Sequence, residues 1–151
     1  MKISIIEGPL LDRIDKREKE IYKVGSKDKM IESVRKKAAE LEIDVESLNS
    51  WSESELAKMI VDTECDGIVI NPGAFTHTSV LIRDALLFAR KPFVEAHISN
   101  LFKRENFRKH SFISDIADEF VCGLGAYGYS LALEYIYLKI KHSASAPLGN
   151  R

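Results

Sequence analysis

Apolar residues in this chain fall in short runs, separated by stretches with helical spacing, and the alternation continues almost from end to end. Ile3 to Ile6 is a β-rich run stopped by Glu7-Gly8-Pro9. Met30, Ile31, Val34, Ala38 and Leu41 recur near the spacing of one helical face, which predicts a helix over 27–41. Ile43 to Leu48 alternates apolar and polar, as an edge strand does. Ser52 with Glu55 three residues on is a capping box opening a second helix, and Trp51 and Leu56 are placed for a hydrophobic staple. Gly67 to Ile70 is the most apolar run and is predicted to be a central strand. Residues 78–90 read as a helix stopped before Lys91-Pro92. Phe93 to Ala96 and Glu119 to Cys122 are the fourth and fifth strands, and Ala126 to Lys141 is a last helix. The tail Ser143 to Arg151 is expected to be disordered.

Five strands alternating with helices imply a parallel sheet with right-handed crossovers. The expectation is a single α/β domain over 1–142, a flavodoxin-like three-layer fold with a five-stranded parallel sheet. Residues 8–25 are long for a βα loop and carry Asp12, Arg13, Asp15, Lys16, Arg17, Glu18, Lys19 and Glu20, then Tyr22. A lid over the carboxyl edge of the sheet and a solvated loop both fit that stretch.

Composition narrows the function. At 151 residues, 45% hydrophobic and 30% charged, the chain can bury one core. A net charge of −1 and a pI near 6.4 leave no electrostatic footprint for nucleic acid. No apolar run reaches the roughly 20 residues a membrane helix needs. Cys65 and Cys122 are far apart without CxxC spacing and border apolar runs, so buried free thiols are expected. With no signal-peptide pattern at Met1 to Ile6, a cytoplasmic location is the default expectation.

The chemically capable residues gather after two strands. Asn71-Pro72-Gly73-Ala74-Phe75-Thr76-His77-Thr78-Ser79 follows the third, and Val94-Glu95-Ala96-His97-Ile98-Ser99-Asn100 spans the end of the fourth. Ligands of open α/β sheets bind outside the carboxyl ends of strands, so two such edges can converge on one molecule. An amide, two imidazoles, a carboxylate and free N–H groups suit proton transfer on an oxygen-rich substrate. No two histidines stand at i, i+4 with a carboxylate, so no zinc site is expected, and the inventory suits proton transfer without a cofactor. Gly123-Leu124-Gly125-Ala126-Tyr127-Gly128 matches a dinucleotide fingerprint, but it follows the last strand and lacks a downstream acidic partner. A tight turn and close packing explain those glycines better.

Together these motifs closely resemble type II 3-dehydroquinate dehydratase over about residues 3–140. The match rests on Asn71-Pro72-Gly73-Ala74, Thr76-His77-Thr78-Ser79-Val80, Arg83-Asp84-Ala85 and Glu95. It continues with His97-Ile98-Ser99-Asn100, Arg104-Glu105, Phe107-Arg108, His110-Ser111, Cys122-Gly123-Leu124-Gly125 and Gly128-Tyr129. The resemblance implies anti elimination of water from 3-dehydroquinate through an enolate, giving 3-dehydroshikimate of the shikimate (aromatic amino-acid) pathway. It implies Tyr22 as base, Arg17 as the lid cation that favours its phenolate, and His97 as acid. Glu95 would orient His97, and Asn71 would position the acid or the leaving hydroxyl. Ile98 and Ser99 N–H groups would hold the substrate carboxylate, with His77 and Arg108 on its other oxygens. Asp84 would reach into a neighbouring subunit of a trimer that builds a dodecamer.

The chain departs from the family near its first strand. The family reads Asn-Gly-Pro-Asn-Leu-Asn where this chain has Glu7-Gly8-Pro9-Leu10-Leu11-Asp12. Leu10 removes an amide donor, and Glu7 is expected to add negative charge near an anionic substrate. Asp15, Lys19 and Lys23 depart within the lid, Asn49-Ser50-Trp51 stands where Gln-Ser-Asn is usual, and Phe102 replaces a loop histidine. An active dehydratase, a divergent or inactive member, and a non-catalytic oligomeric scaffold or ligand-binding protein are the three readings. Joint retention of Arg17, Tyr22, Glu95, His97 and Arg108 favours the first.

Overall fold

The computed structural model describes residues 1–16 and 27–145. Five strands form one parallel sheet: β1 (Lys2–Glu7), β2 (Asp44–Asn49), β3 (Gly67–Asn71), β4 (Phe93–His97) and β5 (Glu119–Cys122). Their order is β2-β1-β3-β4-β5, so the apolar β3 is central and the alternating β2 is an edge, as the pattern predicts. This is the flavodoxin-like arrangement.

Alternation along each strand sorts side chains to two faces. Ile3 and Ile5, Val69, and Val94 with Ala96 and Ile98 pack under α1 (Lys27–Leu41) and the last helix, α4 (Tyr127–Ser145). Ile6, Ile68, Ile70 and Phe93 pack under α2 (Glu53–Asp62) and α3 (Val80–Ala89). The four described helices thus cover both faces, two to each.

Local signals explain most boundaries. Ser79 caps α3 by accepting from Ile82 N at 2.9 Å. Ser52 caps α2 through Glu55 N, but the reciprocal half of the box is rerouted. Glu55 Oε2 accepts from Ser50 Oγ at 2.5 Å, and Ser50 Oγ accepts from Ser52 N at 3.0 Å. Trp51 is half exposed, with its indole N–H on Asp12 Oδ1 and Arg13 over its ring, rather than spent on a staple. Helix α4 continues to Ser145, three residues into the stretch expected as a tail, because its Tyr129, Ala132, Leu133 and Ile136 stripe anchors it to the sheet. Both cysteines are free but only half-buried, a correction to the expected burial: they sit at strand and loop margins where the core face ends.

Turns at the carboxyl edge bring the site together. Gly8 lies against the β3 exit, its N–H donating to Asn71 O at 2.8 Å. A Cβ on Gly8 would lie 2.2 Å from Pro72 O, so only glycine fits. Gly123, at φ +82, donates to His97 O and Gly125 to Ile98 O, fixing the β4 exit against the turn before α4. Those glycines serve turn and packing, as expected.

Candidate active site

The exits of β1, β3 and β4 enclose a cleft of about 120 Å³. Asn71, Gly73, Ala74 and His77 come from the β3 edge, and His97, Ile98 and Ser99 from the β4 edge. Pro9, Leu10 and Leu11 form one wall, and Leu101, Arg104 and Arg108 another. The two edges singled out in the sequence therefore converge. Among the described residues, two guanidiniums, two imidazoles and an amide line the cleft, and no carboxylate does.

His97 approaches from the face covered by α2 and α3. Its Nε2 lies 2.7 Å from Glu95 Oε1, two residues back on the same side of β4. Glu95 is fully buried and also accepts from Thr76 Oγ1 at 2.7 Å and from Ser111 Oγ at 2.9 and 3.0 Å. A carboxylate so held is a fixed acceptor, and it leaves Nδ1 as the ring nitrogen of His97 not engaged by Glu95. Phe120 packs beside the His97 ring at 5.8 Å, and Phe102 packs edge-on against Phe120. The Phe102 departure is thus absorbed outside the cleft.

His77 Nδ1 is 2.7 Å from the His110 carbonyl. A carbonyl only accepts, so Nδ1 carries the proton and Nε2 is an acceptor in the neutral ring. Partial burial depresses the His77 pKa, and the charges of His97 and Arg108 act in the same direction against the His110 hydrogen bond. Arg108 Nε lies 2.9 Å from Glu105, which holds its guanidinium at the rim.

Asn71 approaches from the opposite face. Its Nδ2 donates to Tyr129 Oη at 2.8 Å, and its Oδ1 accepts from Gly73 N at 3.2 Å. Tyr129 Oη donates to Glu7 Oε1 at 3.0 Å, and Lys27 Nζ pairs with Glu7 Oε2 at 2.5 Å. Burial, reinforced by Glu7, raises the Tyr129 pKa well above its ordinary value, so this phenol is a donor and not a base. Glu7 is buried and outside the cleft lining, with its charge paired to Lys27. The expectation that it adds negative charge beside the substrate is corrected: the β1 pleat turns it to the α1 and α4 face, behind Asn71.

Leu10 does line the cleft, at φ 69 and 40% exposed. Asn49 Nδ2 holds the loop before it through the carbonyls of Glu7 and Gly8, and Trp51 holds the loop after it through Asp12. Asp15 Oδ1 accepts from Lys27 N at 2.7 Å. Asp84 lies exposed on α3, outside the cleft of its own chain. Arg17 and Tyr22 lie outside the described residues. Thr76, Arg104, Ser111 and Tyr129 lie in the motifs quoted above, and their residue types alone give them no role. Their signal is the capacity to complete hydrogen bonds around Glu95, Asn71 and the cleft rim. Among the described residues, no cluster of three or more metal-ligating side chains occurs.

Fold and cleft together define an α/β protein with an arginine- and histidine-lined cleft at the carboxyl edge of its sheet. The chain belongs to the class II dehydroquinase family, whose sequence model matches residues 1–137. It is 44% identical over 144 residues to a 3-dehydroquinate dehydratase of Psychromonas ingrahamii, covering 94% of this chain and 97% of the relative. It is 45% identical over 148 residues to a catabolic 3-dehydroquinase of Phaeosphaeria nodorum, covering 97% of each. The crystal structure of type II dehydroquinase from Butyrivibrio crossotus superposes with a TM-score of 0.84 at 36% identity, covering 90% of this chain and 97% of that one.

Proposed function

We propose that this chain is a 3-dehydroquinate dehydratase, a hydro-lyase that forms 3-dehydroshikimate in the shikimate pathway. The observation that carries the reading is the cleft lined by Arg104 and Arg108 with its Glu95-backed His97. The substrate is an anion with several hydroxyls, and Arg104, Arg108 and the Ile98 and Ser99 edge match that chemistry. His77 Nε2, an acceptor in the neutral ring, suits a substrate hydroxyl.

The reaction removes a proton α to the ketone and a hydroxyl β to it. Tyr22 as phenolate, favoured by Arg17, takes the proton to give an enolate. Imidazolium His97, its Nε2–H on Glu95, donates the Nδ1 proton to the departing hydroxyl, which leaves as water. Collapse of the enolate forms the conjugated double bond. A proton then passes from Tyr22 to His97 through solvent, restoring both groups. Base and acid on opposite faces of the substrate give the anti outcome. Neither a metal ion nor a lysine imine takes part.

The subunits form trimers that assemble into dodecamers, with Asp84 contributed to the neighbouring cleft. Support comes from the exposed apolar face of α3 around Asp84, where Leu81, Leu87 and Phe88 are 47%, 51% and 75% exposed. The site of action is the cytoplasm, and no helix among the described residues is long and apolar enough to cross a membrane.

Kinetics of two variants test the roles. Replacing the acid, His97→Ala, should lower kcat by about 10²–10⁴ in a folded protein. Tyr22→Phe should lose turnover while retaining affinity for a substrate-like anion. A Tyr22→Phe protein with unchanged kcat and raised KM would place the base elsewhere.

A further inference from the structure

Glu7, Tyr129, Asn71 and the Gly73 N–H form a hydrogen-bond chain whose direction is fixed at every joint. Glu7 and Asn71 are register partners on β1 and β3, so their side chains stand side by side on one sheet face. Tyr129 descends on them from α4 with its hydroxyl fully buried. Lys27, a donor only, occupies Glu7 Oε2. Glu7 Oε1 takes the single proton of Tyr129, so the phenol oxygen can only accept from Asn71. The amide therefore turns its NH2 to Tyr129 and its Oδ1 to Gly73 N. The second N–H of Asn71 has no partner among the described residues, and Asn71 lines the cleft.

We propose that Glu7 is a positioning residue that acts through Tyr129 to make Asn71 present an N–H donor, rather than its carbonyl, to the reacting oxygens of the substrate. The proposal rests on the dehydratase reading. With no acceptor offered to it from position 7, the Tyr129 proton has only Asn71 Oδ1 to meet among the described residues, and the amide turns over. The donor is then lost at the point where negative charge develops. Glu7 stands where the family pattern has asparagine, a side chain that can donate as well as accept.

A double-mutant cycle tests this. Glu7→Leu should lower kcat about tenfold or more with KM within about twofold, as expected for a donor that meets developing charge. Glu7→Gln/Lys27→Met, whose amide oxygen can accept from Tyr129 with no ammonium competing for it, should keep kcat within about threefold of wild type. In an Asn71→Ala background, Glu7→Leu should change kcat by less than about twofold, because the group through which it acts is gone. In a Tyr129→Phe background, which lacks the proton that would turn the amide over, Glu7→Leu should likewise change kcat by less than about twofold, and Glu7→Ile decides the matter if Glu7→Leu does not fold. An additive cycle would overturn the proposal. So would wild-type kcat in Glu7→Leu, or equal losses in Glu7→Gln/Lys27→Met and Glu7→Leu. A crystal structure of Glu7→Leu, or of Glu7→Ile in its place, gives a readout independent of turnover. The Asn71–Gly73 N hydrogen bond should open, and an amide unmoved in both would overturn the relay. A wild type inactive on 3-dehydroquinate would instead refute the dehydratase reading and leave the relay to that crystallographic result.

Discussion

Leu10 carries two costs at one position. It places an apolar side chain on the cleft wall, and it holds a non-glycine residue at φ 69. The left-handed region costs an ordinary L-residue about 1–2 kcal/mol, and asparagine tolerates it better. Leu10→Asn should therefore raise stability by about 1 kcal/mol, read from denaturant midpoints, and raise kcat by restoring a donor. A stability gain without a kinetic one would mean that the amide does not meet the transition state. The chemistry of the cleft was legible residue by residue: Asn71, His77, His97, Ile98, Ser99 and Arg108 all line it. Glu7 was not, because its burial depends on Lys27 from α1 and Tyr129 from α4, neither of them near it in sequence. An acidic residue at a strand end looks exposed until those partners are known.

Strand and helix identities were readable because apolar period and flanking turn residues agree. Among the described residues, five strands and four α-helices appear where the periodicity places them. Boundaries set by tertiary contact were less readable. Trp51 leaves its staple position for Asp12 and Arg13, and Ser50 intrudes into the α2 capping box. At this scale Gly8→Ala is the sharpest test of how the β1 exit supports the site. Its new Cβ would strike the Pro72 carbonyl, which is backbone and cannot swing aside. The variant should lose about 1–3 kcal/mol in a denaturant titration and most of its turnover, since Asn71 moves with Pro72. Unchanged stability would show that the β1 and β3 exits separate easily.

The β1–β2 pair also sets an acid limit. Hydrogen bonds from Lys2 and Ser4 hold the Glu46 pKa down to about 2 against an ordinary 4.5. A carboxyl depressed in the folded state stabilises above its unfolded pKa and loses that contribution as pH falls through the folded value. Stability from this group should therefore be complete above about pH 4.5 and decline toward pH 2. Glu46→Gln should be less stable than wild type at neutral pH, and the two denaturation midpoints should converge on acidification. Parallel curves would remove Glu46 from the acid response.

For the whole molecule, the open face of α3 calls for a partner, and a second copy supplies Asp84 to a neighbouring cleft in the proposed assembly. Light scattering should give a mass that is a multiple of three subunits. Asp84→Ala should lower turnover while leaving that mass unchanged. A fully active monomer would contradict the shared site. Assembly was the least legible level in one chain's sequence, because exposed Leu81 and Phe88 show that a surface needs covering but not by how many copies.

Ultraviolet absorbance of the conjugated enone is the most direct test of the central claim, because only loss of water from 3-dehydroquinate creates that chromophore. Wild-type protein, dialysed against chelator and treated with borohydride in the presence of substrate, should generate the absorbance continuously and at an undiminished rate. A folded, assembled wild type that produces no absorbance would contradict the account, and inactivation by either treatment would contradict its mechanism.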